Sequence, residues 1–471
     1  MTSQKKSSQR LAVMTLNIRH PGIHALVFLM AGFAALIASC ASNSSSQRLD
    51  PGGIPLVGTY KVHPFVLDNG LKLLVVEDHS SPTFAYQTWF RVGSRDEVAT
   101  RTGLAHLFEH LMFKATSNHP EGEFDRILEA AGAEGENAFT SWDYTAYVQE
   151  LPKDKLELIA SLESDRMVNL VVNDESFKTE REVVQNERRY RNENNPNGMM
   201  YQEGLALAFQ KHSYHWPVIG YQEDLAAMTS EDPRKFYRSY YAPNHATIIV
   251  CGDVDPDQVL SVVKKFYGKF AAQETPPHEI AVEPAQTAPR RKQLKLNIQV
   301  EQLLMGYKIP NVMSEDTPTL FAIDALLTGG KSSRLNRALV DTGIASKIET
   351  EPLSAKDPMV FIIEASLQKG KKATQAESVI LRELARLAKE VPSPQELDRA
   401  KNRVDFSFYE SMDSNSERAN FIGRYESISP GFQYGLKVQN AVQTVTPEQV
   451  RTAIQKYFDP KNRTVITGVQ Q

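Results

Sequence analysis

Two histidines four residues apart, His106 and His110, lie in the segment LAHLFEHLMF (residues 104–113), with Glu109 directly before the second. On a helix, residues four apart share a face. Both imidazoles can then address one ion, a common route to zinc binding. Glu109, three residues after His106, is close enough to reach a water on that ion. A catalytic zinc site needs a third protein ligand and one open position, and the same helix cannot easily supply that ligand. The charged segment FKTEREVVQNERRYRNE (residues 177–193) offers carboxylates. Glu180 and Glu187 are seven apart, two turns along one face, and Glu182 and Glu193 are the other carboxylates nearby. The residues alone leave the choice among them open.

The elements that must position these groups follow from pattern. Residues 58–95 read as strands: two apolar runs broken by Asp68-Asn69-Gly70, a hairpin signal, then FAYQTWFRV. Helical periodicity takes over at 104–113 and returns in FDRILEAAG, in LPKDKLELIASLESDRMVNLVV and in the charged stretch 176–190. Residues 137–148 (NAFTSWDYTAYV) are rich in aromatic and β-branched types and read as a strand. The strongest organisational signal is an internal repeat. Thr229, Glu231, Tyr240, Pro243 and Thr247 recur as Thr446, Glu448, Tyr457, Pro460 and Thr464, each offset by 217 residues. Each copy reads as a Thr-capped helix, a tyrosine at its end, a proline stop and a strand. A period this long indicates a duplicated domain. The expected fold is therefore α+β, two similar domains of sheet packed against helices. The expected boundaries are 58–270 and 294–471, joined by a Pro/Glu/Ala-rich linker at 271–293.

Composition narrows the class. The net charge is −4 over 471 residues, without the basic footprint of a nucleic-acid binder. TGGKSS (residues 328–333) imitates the end of a phosphate-binding loop. However, Ala325 stands where the first glycine would fall, and LFAIDALL before it reads as a helix, so nucleotide binding is rejected. The N-terminus has a basic lead and an apolar run at 25–38, too short for a comfortable span of about 20 residues. It suits a signal peptide over 1–39. Ile37-Ala38-Ser39-Cys40 resembles a bacterial lipobox, which implies lipidation at Cys40 and a flexible tether over 40–57. Ala41 and Ser42, the residues directly after Cys40, are not the aspartate that retains lipoproteins in the inner membrane, which points to the outer membrane, facing the periplasm. The other cysteine, Cys251, sits in the apolar run ATIIVCG and reads as a buried strand residue. His119, His212, His215 and His245 have no ligand spacing and read as surface or loop residues.

His-x-x-Glu-His is the inverted zinc motif, and the chain resembles the pitrilysin and insulysin family, most closely its short bacterial members related to the mitochondrial processing peptidase. In that family 69 residues separate the second histidine from one glutamate, and six more separate that from a second. Here the same spacing leads from His110 to Glu180 and then Glu187. FRVGSRDE, NAFTSWDYTAY and YYAPNHATIIVCGDVD also look like family segments, and the resemblance runs from about residue 58 to the C-terminus. It implies that His106, His110 and Glu187 bind one zinc per chain, that Glu109 is the general base, and that Glu180 supports the site. It further implies a mostly antiparallel sheet in each domain, and a peptide substrate added as a strand to an edge formed by Asn137, Ala138 and Phe139. The activity so implied is a zinc metalloendopeptidase cutting peptides or unfolded segments in a closed chamber. The rival is a non-catalytic scaffold or assembly subunit that kept the fold. The complete set of His106, Glu109, His110 and Glu187 speaks against it.

The sequence departs from the family in one respect. Active single-chain relatives carry an arginine and, seven residues on, a tyrosine in the second half. With one residue fewer in this chain, those positions fall here on Val340 and Ser346. Arg418 and Tyr425 have the right spacing but come much later, and are read as coincidence. The expectation is that a second family chain supplies the pair in a heterodimer, or that a homodimer forms.

Overall fold

The computed structural model describes residues 47–50, 52–275 and 279–471. The apolar run at 25–38, Cys40 and Ser42 lie outside them. Among the described residues no helix is long and apolar enough to cross a membrane.

The first half contributes strands β1 (Gln47–Arg48), β2 (Ile54–Pro55), β3 (Lys61–Val66), β4 (Lys72–Glu77), β5 (Thr83–Phe90), β6 (Glu134–Thr140), β7 (Thr145–Pro152) and β8 (Ala246–Gly252). Its helices are α1 (Leu104–Leu111), α2 (Glu123–Ala130), α3 (Leu156–Asn169), α4 (Asp174–Arg188), α5 (Pro196–Ala208), α6 (Gln222–Ala227), α7 (Glu231–Tyr240) and α8 (Pro256–Tyr267). The second half contributes β9 (Arg290–Leu296), β10 (Gln302–Ile309), β11 (Ala345–Pro352), β12 (Met359–Leu367) and β13 (Arg463–Gln470). Its helices are α9 (Thr317–Thr328), α10 (Ala373–Lys389), α11 (Pro394–Glu410), α12 (Asn415–Ile428), α13 (Gln433–Val442) and α14 (Pro447–Tyr457).

The duplication is visible in the hydrogen-bonding order. The first sheet runs β1-β3-β4-β8-β5-β7-β6 and the second β11-β12-β10-β13-β9. Read from β4 and from β9, the two five-strand paths match. Each begins with a parallel pair, β4 with β8 and β9 with β13, and continues antiparallel to an edge, β6 in one and β11 in the other. The side-chain period of two splits each strand between two cores. Leu73, Val75, Phe84, Tyr86, Ile248 and Val250 face α1, α3, α7 and α8 in one apolar cluster. Leu74, Val76, Ala85, Trp89, Ile249 and Cys251 face the other way. Cys251 is thus buried in β8, where burial pushes its thiol up to about 12.

The second face is covered by exchange. Helix α12 of the second half packs on β5 and β8 of the first sheet, and α5 of the first half packs on β9, β10 and β13 of the second. Both helices carry a glycine at the contact. A Cβ on Gly423 would lie 2.1 Å from the Trp89 ring, and one on Gly204 would lie 2.9 Å from Leu304 Cδ2. Polar groups reinforce the exchange: Arg418 of α12 pairs with Asp78 and donates to Met412 O at 2.8 Å, and Lys72 pairs with Glu426. A second lock joins the halves, where Arg95 Nε donates to Asp357 at 2.5 Å, Lys356 N to Asp143 at 3.0 Å and Asp357 N to Tyr214 Oη at 3.2 Å.

Four expectations need correction. Residues 137–148 form a hairpin, not one strand, because Ser141 N donates to Tyr144 O at 2.8 Å and closes a turn between β6 and β7. Thr446 caps α14 as expected, but the N-cap position of α7 is Ser230, and Thr229 instead bonds to Asp232. The second sheet starts at Arg290, inside the stretch read as linker, and Glu283 is anchored by backbone N–H groups of Gln210, Lys211 and His212 and by Lys308. His212 and His245 are buried, His212 against Asp357 at 3.1 Å and His245 against Thr275 at 3.1 Å.

Candidate metal centre

Helix α1 is short, apolar on most sides and nearly wholly buried, so its polar residues have one open direction. Its entry is tightly set. Gly103 adopts φ 88°, and a Cβ there would lie 2.5 Å from Ile219 O; glycine supplies both the left-handed backbone and the close approach. The first amides of the helix are orphan donors. The buried Glu97 carboxylate accepts from Gly103 N at 2.9 Å and Ala105 N at 2.7 Å. Burial holds the Glu97 carboxyl well above its usual range, against these two bonds.

Helix α4 lies across α1, capped by the Asn173 side chain on Ser176 N, and brings Glu187 to both histidines. Glu187 Oε2 is 3.3 Å from His110 Nε2 and 3.7 Å from His106 Nε2, and the three donor atoms lie within 4.8 Å of one another. Ligands on a tetrahedral zinc at bonds of ~2.0–2.1 Å sit about 3.3–3.5 Å apart, so the observed spacing suits one ion. Glu187 Oε2 and His106 Nδ1 are buried without a well-aligned hydrogen bond, Glu187 Oε2 having only the 3.3 Å approach of His110 Nε2. A buried carboxylate oxygen so poorly satisfied is costly, and a cation between the imidazoles would remove that cost. Two nitrogens and one carboxylate oxygen match the zinc donor set. The residues fit the metal.

The surroundings set the charge of each group. Burial, and then the charge of His110, depress the His106 pKa to about 4, which keeps this imidazole neutral and ready to coordinate. Burial also pulls His110 down, but hydrogen bonds to Glu180 and Glu187 outweigh it and carry the group up to about 9. Glu180 accepts at 3.3 Å from His110 Nδ1 and is paired with Lys114 at 2.7 Å. It orients the ring from behind, as outer carboxylates do at zinc sites. Arg191 Nε holds the other oxygen of Glu187 at 2.9 Å. Glu109 is buried, which raises its carboxyl pKa, and its Oε2 accepts from Thr140 Oγ1 at 2.5 Å.

Asn137, Ala138 and Phe139 lie on the edge strand β6, with Asn137 exposed, and line the same cleft of about 940 Å³ as His106, Glu109, His110, Glu180 and Glu187. Glu182 and Glu193 are exposed outside it. Val340 packs on the second core and Ser346 donates to Ser366 O, so neither faces the metal centre. Arg418 and Tyr425 are buried in the α12 exchange and do not line the cleft. Thr140, Glu97, Lys114 and Arg191 are site residues that motif spacing did not single out. Glu97 and Thr140 did lie within segments flagged as family-like.

A duplicated sheet-and-helix fold with an inverted histidine motif completed by a distant glutamate defines a class, and comparison with known proteins agrees. Residues 72–220 match the family described as insulinase (peptidase family M16), and residues 227–404 match the peptidase M16 inactive domain. The zinc protease PqqE of Helicobacter pylori is 32% identical over 415 residues, covering 85% of this chain and 91% of that one. The uncharacterized zinc protease YmxG of Bacillus subtilis is 23% identical, covering 84% and 95%. The crystal structure of a protease from Helicobacter pylori superposes with a TM-score of 0.83 at 30% identity, covering 87% of this chain and all of that one. The chain belongs to peptidase family M16.

Proposed function

We propose that the chain is a zinc-dependent endopeptidase that hydrolyses peptides or unfolded protein segments, one zinc per chain, with Glu109 as general base. One observation carries this reading: donor atoms of His106, His110 and Glu187 converge within 4.8 Å of one another, beside a second carboxylate, Glu109, that is not among them. Bound there, zinc would supply Lewis acidity, activating a water and polarising a peptide carbonyl. The remaining work belongs to the chain's own residues. Glu109 takes the water proton and returns it to the leaving amine, and burial moves its pKa toward working pH. Thr140 fixes Oε2 of that carboxylate, leaving the other oxygen for the proton. Glu180 and Lys114 hold His110 through Nδ1. The open edge of β6 at Asn137, Ala138 and Phe139 suits strand addition of an extended peptide, in which main-chain hydrogen bonds give affinity.

The test is zinc content with peptide cleavage. The purified protein should hold about one zinc per chain, and Glu109→Gln should keep the metal and lose cleavage. A chain that takes up no zinc under metal-replete conditions sinks this reading. A chain that holds zinc yet cuts nothing, even with a partner added, is the scaffold instead.

The absence of an arginine and a tyrosine at Val340 and Ser346 supports a second family chain, or a second copy, completing a closed chamber. The apolar run ending at Cys40 supports a lipid anchor in the outer membrane, facing the periplasm. Affinity purification from native membranes, with mass analysis of the bound chains and of the mature N-terminus, tests both.

A further inference from the structure

Strand β6 is irregular where it borders the cleft. Its pairing with β7 slips between Glu134 and Asn137, and Gly135 inside the slip adopts φ 64° with open space where a Cβ would be. This is a β-bulge with glycine in the left-handed position, a device that bends an edge strand and re-aims the next side chain. The next side chain is Glu136. It lines the catalytic cleft beside Phe113, and its Oε1 is buried without a hydrogen-bond partner.

The charges around it do not balance. Asp125 of α2 and Glu163 of α3 act on Glu136 as like charges, and Arg166 of α3 is the one cation acting on it. Arg166 pairs with Glu163 at 2.5 Å and is sealed among the rings of Phe113, Phe124 and Tyr147, with its Nε and Nη1 left without a hydrogen-bond partner and none of its atoms bonded to Glu136. Of the cations lining the cleft, Lys114 is held by Glu121 and Glu180, and Arg191 by Glu187. Three carboxylates against one guanidinium leave surplus negative charge at and behind Glu136, and Glu136 Oε1 an unused acceptor. A burial-strained carboxylate gains most from a charge-assisted hydrogen bond.

We infer that Glu136 is a specificity determinant of the cleft, selecting a lysine or arginine side chain of the bound peptide. The inference rests on the peptidase reading above. Thr140, which touches Glu109, is four residues along the strand, about 13 Å at ~3.3 Å per residue. The recognised side chain is therefore about three or four positions from the scissile bond rather than next to it. Burial and Asp125 push the Glu136 carboxyl up to about 7, with Arg166 pulling the other way, so the preference grows as pH rises from about 6 to 8.

The experiment uses the zinc-loaded full chain and internally quenched peptides in which lysine is exchanged for norleucine at one position at a time. At one position the wild type should favour lysine by about tenfold in kcat/KM. Glu136→Gln should bring that ratio close to one, and Glu136→Lys should invert it. A wild type indifferent at every position, or a ratio that survives Glu136→Gln, overturns the inference. So does a Glu136→Gln variant that only melts earlier, which would make Glu136 a structural counter-charge to Arg166. If the loaded wild type cuts none of the peptides, the peptidase reading fails separately. Fluorescence anisotropy of the same peptides on Glu109→Gln then decides the point. Tighter binding of the lysine peptide, lost on adding Glu136→Gln, upholds the inference, and equal affinities overturn it.

Discussion

Helices α1 and α9 stand in matching places and do different things. Each packs against the edge strand of its sheet and the same two partner helices, β6, α4 and α7 in one half and β11, α11 and α14 in the other. Each borders a cleft, of about 940 Å³ in the first half and about 780 Å³ in the second. Each carries a carboxylate bonded to a threonine of the edge strand: the buried Glu109 to Thr140 at 2.5 Å, and the half-buried Asp324 to Thr350 at 2.5 Å. The difference lies in what surrounds the carboxylate. Glu109 is flanked by two imidazoles and faced by Glu187. Asp324 is flanked by Ala325 and Thr328, and its cleft is faced by Arg403 and Ser407 of α11. Among the described residues only His106, His110 and Glu187 form a possible metal group. The duplicated scaffold therefore supplies a cleft twice, and a few side chains decide which one can do chemistry.

Removing the third ligand should break this contrast most severely. Glu187→Ala is expected to lower bound zinc from about one per chain to near none, measured by elemental analysis, whereas Asp324→Ala leaves zinc unchanged. Glu109→Gln should leave the metal in place and cut turnover by about 10²–10⁴, which separates base from ligand.

Smaller effects probe how the halves are tied together. Glu283 has its carboxyl lowered to about 2: burial opposes this, but Lys308 and three backbone amides prevail. Its folded pKa lies below the unfolded one, so it stabilises above about pH 4.5. That contribution, up to about 3 kcal/mol, is lost as pH falls toward 2. Glu283→Gln should flatten the melting temperature over that window.

The two exchanged glycines should differ from each other. Gly423→Ala meets the rigid Trp89 ring and should cost about 1–3 kcal/mol in chemical denaturation. Gly204→Ala meets only the movable methyl of Leu304 and should cost less than about 1 kcal/mol. The smallest effect falls on Asp324, whose carboxyl burial raises to about 7 against the Thr350 bond. Its folded pKa exceeds the unfolded one, so it loses stability as pH rises from about 4 through 7. Asp324→Asn should accordingly melt no lower than wild type at pH 8.

Much of the site was legible because helical periodicity is local. His106 and His110 share a face at any helix, and Glu180 and Glu187 follow by the same rule. The repeat was legible as well, since each copy reuses its helix, proline and strand at one offset. The hairpin at residues 137–148 was missed because its turn, Ser141-Trp142-Asp143, contains neither glycine nor proline. The burial of His212 and His245 was missed because their partners, Asp357 and Thr275, are far along the chain or in a loop without pattern.

The sequence by itself determined the donor types, their order along α1 and α4, and the two-fold repetition of the fold, since these depend on residue chemistry and short-range period. Only the tertiary structure decided which carboxylate meets the imidazoles. It also decided that Thr140 holds the base, that a bulge turns Glu136 into the cleft, and that α5 and α12 trade sheets. Each of these is a meeting of segments distant in sequence, set by packing that has no local signature.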